Sequence, residues 1–204
     1  HLLAYFKDYE SIEPELLNRV KEMTETREKR MVELIERVNG VIPEKFRGSI
    51  EFENVKKAAE GVLARPHLAR EMVRLGIVSS TNQAFERYLV KYNVQRENLD
   101  VATAISLIRK SNGVPVMAHP GERSYSLICP DKGRHKENAP VLLEELKEMG
   151  LLGLECHYPY HERMGTVEYF VDLADSFNLI VTGSRDFHGF YGHQQVSIFG
   201  TTKM

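Results

Sequence analysis

Three apolar runs constrain this chain more than any other feature. VPVM (114–117), LLGL (151–154) and LIV (179–181) each lead into polar residues, and amphipathic stretches of helical period separate them. A strand that is apolar along its whole length is one buried on both faces, the mark of a parallel sheet covered by helices. ATAISLIRKSNG precedes the first run, APVLLEELKEMG lies between the first and second, and TVEYFVDLADSFN lies between the second and third. The resulting βαβαβ alternation predicts an α/β sheet or barrel. HLLAYF (1–6) reads as one further short strand. These units are too few for a closed barrel, so more strands are expected upstream of His1, or else pairing with a second chain.

Residues 14–98 have a different character. Leu16, Leu17, Val20, Met23, Met31, Leu34, Ile35 and Val38 recur with helical spacing, with Ser11 and Glu13–Pro14 as start signals and Asn39–Gly40 as the end. The charged run TETREKR inside this helix reads as a solvated face. FENVKKAAEGVL and HLAREMVRLG follow as shorter helices, the second stopped at Gly76, and Thr81 is the expected cap of NQAFERYLVKY. No strand is expected here. The predicted organisation is an α/β portion at 1–13 and 99–204 interrupted by an all-helical insertion at 14–98.

Composition removes several classes of function. With 204 residues and 42% hydrophobic content the chain supports one good core and a smaller attached unit. A net charge of −2 offers no bulk attraction to nucleic acid or anionic lipid, so any phosphate recognition is local. No apolar run approaches the length of a membrane span, and no protein partner is evident. Cys129 and Cys156 form no CxxC pair and read as reduced thiols of a cytoplasmic protein.

Active sites of α/β barrels lie at the carboxyl ends of the strands, and each of the three runs ends in histidine or carboxylate. Ala118–His119–Pro120 follows the first, Glu155, Cys156 and His157 the second, and GSRDFHG (183–189) the third. Asp186 and His188, spaced i and i+2, share one side of an extended segment. Carboxylate oxygen with imidazole nitrogen suits Zn, Mn or Fe better than Ca. Alone, this DxH pattern is equally a capped turn; His119 on a neighbouring rim position favours metal. His157 reads as a supporting or surface residue, His161 as either a site or a loop residue, and His135 and His193 as solvated loop residues. Arg65–Pro66–His67 opens a helix, and both arginine and a helix amino terminus suit phosphate; a proline-initiated helix with an incidental arginine is the plainer alternative.

VPVMAHPG, GLLGLECHYPYH and LIVTGSRDFHG together resemble the polymerase-and-histidinol-phosphatase (PHP) superfamily. ARPHLAREMVRLGIVSSTNQAFERYL resembles the helical insertion of the branch containing nucleoside 3′,5′-bisphosphate phosphatases and the related 5′-to-3′ exoribonuclease. HLLAYF with Asp8 resembles that branch's HxLGYxxD strand. The resemblance spans the chain and implies a distorted (β/α)7 barrel, here partial because its amino-terminal strands are missing. It also implies two or three divalent ions (Mn, Zn, Fe or Mg) at the strand ends. By motif, His1, His119, Asp186 and His188 are the implied metal ligands, the last two at the catalytic centre, and Arg65, His67 and His161 the implied phosphate contacts.

The implied activity is hydrolysis of phosphate esters of nucleotides or RNA 5′ ends by a metal-activated water. A phosphorylated small molecule, a nucleotide or a short RNA is the implied partner. Two departures stand out. The family's opening HxHT…D strand and a following histidine and glutamate are absent, which leads us to expect an inactive fragment. Arg185 also stands where relatives often carry serine or glycine. These departures keep a non-catalytic PHP-fold binding module in play, beside a phosphatase of a small non-nucleotide phosphate.

Overall fold

The computed structural model describes residues 1–59, 62–95, 98–122 and 126–185. They form two compact units: Asn18–Asn98, and His1–Leu17 together with the described residues from Leu99 onward.

The second of these contains a four-stranded mixed sheet of order β1-β2-β3-β4. The strands are β1 (Leu2–Tyr5), β2 (Val114–Met117), β3 (Gly153–His157) and β4 (Ile180–Gly183). β2, β3 and β4 run parallel, as the apolar runs predict. Parallel neighbours need crossovers. α6 (Ala139–Glu148) lies between β2 and β3, and α7 (Pro159–Met164) and α8 (Val167–Ser176) lie between β3 and β4. β1 is antiparallel to β2, with Leu2 opposite Met117 and Tyr5 opposite Val114. This reversal brings the start of β1 to the carboxyl end of β2.

Leu143, Leu151, Leu154, Cys156, Phe170 and Ala174 pack a fully buried core against β3. Gly153 has no room for a side chain: a Cβ there would stand 2.8 Å from Val116 Cγ2 and 2.9 Å from the Ile180 carbonyl oxygen. α5 (Val101–Lys110) leads into β2 and is capped by Asp100, whose Oδ1 accepts from the Ala102 and Thr103 amides. The expectation of strands buried on both faces fits β2 and β3 but fails for β4. β1 and β4 are the sheet edges among the described residues, and Ile180 is 51% exposed.

The other unit is helical, with no strand among its described residues. The unit boundary falls within α1 (Pro14–Asn39), whose Met31, Leu34, Ile35 and Val38 are buried against Ile42, Leu68, Met72 and Leu89. The apolar stripe expected to run the length of α1 is incomplete, because Val20 is exposed. Ser11 serves a turn with Asp8, not the helix start: its amide donates to Asp8 Oδ1 and its hydroxyl to the Asp8 carbonyl. α2 (Phe52–Lys57), α3 (Arg65–Arg74) and α4 (Thr81–Ala84) follow. The cap of α4 is Ser80, not Thr81: the Ser80 hydroxyl accepts from the Gln83 amide, and Thr81 is the first helical residue. α4 continues into one π-helical turn, Phe85–Leu89.

Candidate metal centre

The antiparallel ladder of β1 and β2 extends one residue past β1, because the Ala118 amide donates to the His1 carbonyl. His1 therefore stands beside His119. Their rings meet edge to face at 81°, and His1 Nδ1 lies 3.0 Å from His119 Nε2. His119 is buried and has φ of 31°, a left-handed backbone that a residue with a Cβ seldom adopts. Both of its peptide groups are held. Its amide donates to Glu155 Oε2 at 2.7 Å, and its carbonyl accepts from the Ser126 hydroxyl at 3.3 Å and the Glu122 amide at 3.2 Å.

Two imidazole nitrogens 3.0 Å apart fit a shared divalent ion. With metal–nitrogen bonds of about 2.0–2.1 Å, adjacent ligands stand about 2.9 Å apart in an octahedral shell and about 3.4 Å apart in a tetrahedral one. The pair supplies only part of a shell. Among the described residues no group of three or more His, Cys, Asp and Glu side chains could hold a metal ion. The other expected ligands, Asp186 and His188, lie outside the described residues, as does His193. Arg185, the last described residue, is exposed.

Behind the histidine pair is a polar layer built on β3. Glu155 is 1% exposed; its Oε2 takes the His119 amide, and its Oε1 takes the Ser184 hydroxyl at 2.6 Å. The Tyr158 hydroxyl donates to Glu122 Oε2, and the Tyr158 ring lies 5.5 Å from that of His119 and 5.4 Å from that of His161. His161 is fully buried on α7. Its Nδ1 bonds the Cys156 carbonyl at 2.9 Å, and its Nε2 accepts from the Gly121 amide at 3.1 Å. Desolvation holds its pKa below the ordinary histidine value, opposed in part by the Cys156 carbonyl and by Glu155 and Glu122. Both nitrogens are thus engaged by backbone, and a phosphate contact by His161 would have to replace the bond from Gly121. A Cβ at Gly121 would stand 3.0 Å from both His161 Nε2 and the Phe170 ring, so a side chain there would push on both. The Cys156 thiol is buried and its pKa is pushed up to about 12 by desolvation, then by Asp175 and Glu155, so it is protonated and unreactive at neutral pH.

Arg65 and His67 belong to the helical unit. Arg65 begins α3, with its guanidinium 5.7 Å from the centre of the Phe85 ring. His67, at the third position of α3, turns its Nδ1 back to accept from the Ala64 amide at 3.0 Å, just before the helix. Burial lowers its pKa, offset by the Ala64 backbone and reinforced by Arg70.

No family model matches the chain. It is 29% identical over 196 residues to a 5′-3′ exoribonuclease of Haemophilus influenzae, an alignment covering 83% of this chain and 68% of that protein. A phosphoribosyl 1,2-cyclic phosphate 1,2-diphosphodiesterase of Eggerthella lenta is 29% identical over 94 residues, covering 46% of this chain and 30% of that protein. A structure from Bifidobacterium adolescentis, described as that of a metal-dependent phosphoesterase, superposes with a TM-score of 0.68 at 24% identity. These similarities are consistent with a phosphoesterase of the PHP type. An amidohydrolase from Chromobacterium violaceum, solved with bound sulfate and no metal, shares the fold with a TM-score of 0.61 and 24% identity. The alignments take in 93% and 86% of this chain but span only 63% and 58% of those two structures.

The structure gives partners to residues that the sequence either placed on the rim without a role or passed over. Glu155 is the foremost. It follows an apolar run directly, and a carboxylate entering a buried strand needs partners, which was the signal available. Tyr158 carried no comparable signal, because its partner Glu122 is distant in sequence. His157, half-buried at the end of β3, and His135, exposed in a loop, lie where a supporting and a solvated histidine were expected.

Proposed function

We propose that the whole protein is a metal-dependent phosphoesterase acting on nucleotides or RNA 5′ ends, its sheet forming part of a distorted (β/α)7 PHP barrel. The observation that carries this reading is the 3.0 Å convergence of His1 and His119 at the strand ends of a chain aligned over most of its length with an exoribonuclease. His1 and His119 would hold a divalent ion from the β1–β2 side, and Asp186 and His188 would complete the shell from the segment after β4. A divalent ion bound there would supply an acidified water and neutralise charge on the phosphoester.

The chain's own groups have distinct tasks. The His119 backbone is held by bonds to its amide and carbonyl, which fixes the point from which its ring departs. Arg65 offers a planar cation at a helix amino terminus, an arrangement matched to phosphate oxygens. His67 caps that same helix through Ala64 and so fixes where Arg65 leaves it. His161 ties the loop after β2 to β3 through Gly121 and Cys156, placing any phosphate beside it by way of the loop. A histidine or aspartate of the rim would protonate the leaving alkoxide.

The similarity to a cyclic phosphodiesterase favours a second reading, hydrolysis of a small sugar phosphate. Both are tested by product analysis with the metal-loaded whole protein, as inorganic phosphate from monoesters and as mononucleotide or ring-opened monoester from diesters. The first expects turnover of 3′-phosphoadenosine 5′-phosphate or short 5′-phosphorylated RNA, and turnover of small sugar phosphates alone would replace it with the second.

A further inference from the structure

We propose that Glu155 is a positioning residue that sets the metal-binding conformation of His119 and the exit of the chain from β4, without itself binding metal. The inference rests on the reading of His119 as a ligand. One carboxylate joins the ends of three neighbouring strands: Glu155 sits on β3, its Oε2 takes the His119 amide beyond β2, and its Oε1 takes the Ser184 hydroxyl beyond β4. The His119 backbone, at φ of 31°, lies in a strained region that persists only where surroundings over-determine it. The Glu155 bond to the amide and the Ser126 and Glu122 bonds to the carbonyl are among those surroundings. Ser184 precedes Asp186 by two residues, so its anchor sets the point from which the segment bearing the remaining expected ligands departs.

Each oxygen of Glu155 keeps a second lone pair, so ligation and positioning must be separated by experiment. Glutamine preserves the geometry: its oxygen accepts from the His119 amide, and its NH₂ donates to the Ser184 hydroxyl, which can act as donor or acceptor. Leucine fills similar space and provides neither bond.

Two readouts on the whole protein test this: Zn(II) affinity by titration, and hydrogen exchange at the His119 amide. Glu155→Gln is expected to bind Zn(II) within ~3-fold of wild type and to keep the amide protected. Glu155→Leu is expected to lose ~10–100-fold in affinity, the range seen when outer partners of a metal ligand are removed, with faster exchange at His119. If Glu155→Gln loses metal as completely as His119→Ala, Glu155 is a ligand and the proposal is overturned. A Glu155→Leu protein with wild-type affinity and a protected amide overturns it as well. Should the leucine variant not fold, Ser184→Ala carries the test: weakened affinity supports the three-strand tie, and unchanged affinity sinks it. Wild-type protein that takes up no metal, with His119 exchange still accelerated in Glu155→Leu, would reject the metal-centre reading and leave the positioning of His119 standing.

Discussion

Replacing His161 with leucine separates a positioning role from a direct phosphate contact. His161 is fully buried, its ring centre 4.4 Å from that of Phe170, with its two nitrogens on the Cys156 carbonyl and the Gly121 amide. Leucine keeps apolar volume against Phe170 but strands both backbone groups. An unsatisfied buried donor or acceptor costs about 1–3 kcal/mol, so the pair predicts a loss of about 2–6 kcal/mol. The chain has no tryptophan, so urea unfolding is followed by far-UV circular dichroism, with hydrogen exchange at Gly121 as the local reporter. His161→Gln, which can both donate and accept, recovers part of the loss. A change below about 1 kcal/mol, with the Gly121 amide still protected and only KM raised, would refute the positioning role and make His161 a substrate contact.

Arg65→Ala should raise KM for a phosphorylated substrate about tenfold with metal content unchanged, the loss expected for one charge-assisted phosphate contact; lost metal would contradict its assignment. Cys156, with its pKa near 12, should resist iodoacetamide at pH 8 in the folded protein and react only on unfolding, and ready alkylation of the native thiol would contradict its burial. His67 and His161 are both held neutral by desolvation, whereas the unfolded chain takes up protons at the ordinary value of 6.5. Stability should therefore be fully present above that value and decline as pH falls below it, seen as a lower urea midpoint at pH 5.5 than at 7.5; a midpoint rising on acidification would contradict the assignment.

The parallel core of the fold was legible because VPVM and LLGL are apolar throughout, and only strands covered on both faces can be. The antiparallel direction of β1 was not legible, since HLLAYF has no neighbour in sequence that dictates its partner. The exposure of Ile180 was equally hidden: LIV is as apolar as the other runs, but its place at the sheet edge among the described residues is set by topology. At the site, His119 could be singled out from its position after a strand, and the pairing with His1 follows from a ladder that spans more than a hundred residues. The engagement of both His161 nitrogens by backbone could not be read from sequence, because it depends on where Gly121 and Cys156 are brought in space.

Metal content of the purified whole protein, compared with His119→Ala, tests the central claim most directly. The account predicts about two or more equivalents of Mn, Fe or Zn in the wild type, with at least one lost in the variant while its circular dichroism spectrum is unchanged. Wild-type protein without bound metal after incubation with these ions, or equal metal in a folded His119→Ala protein, would contradict it.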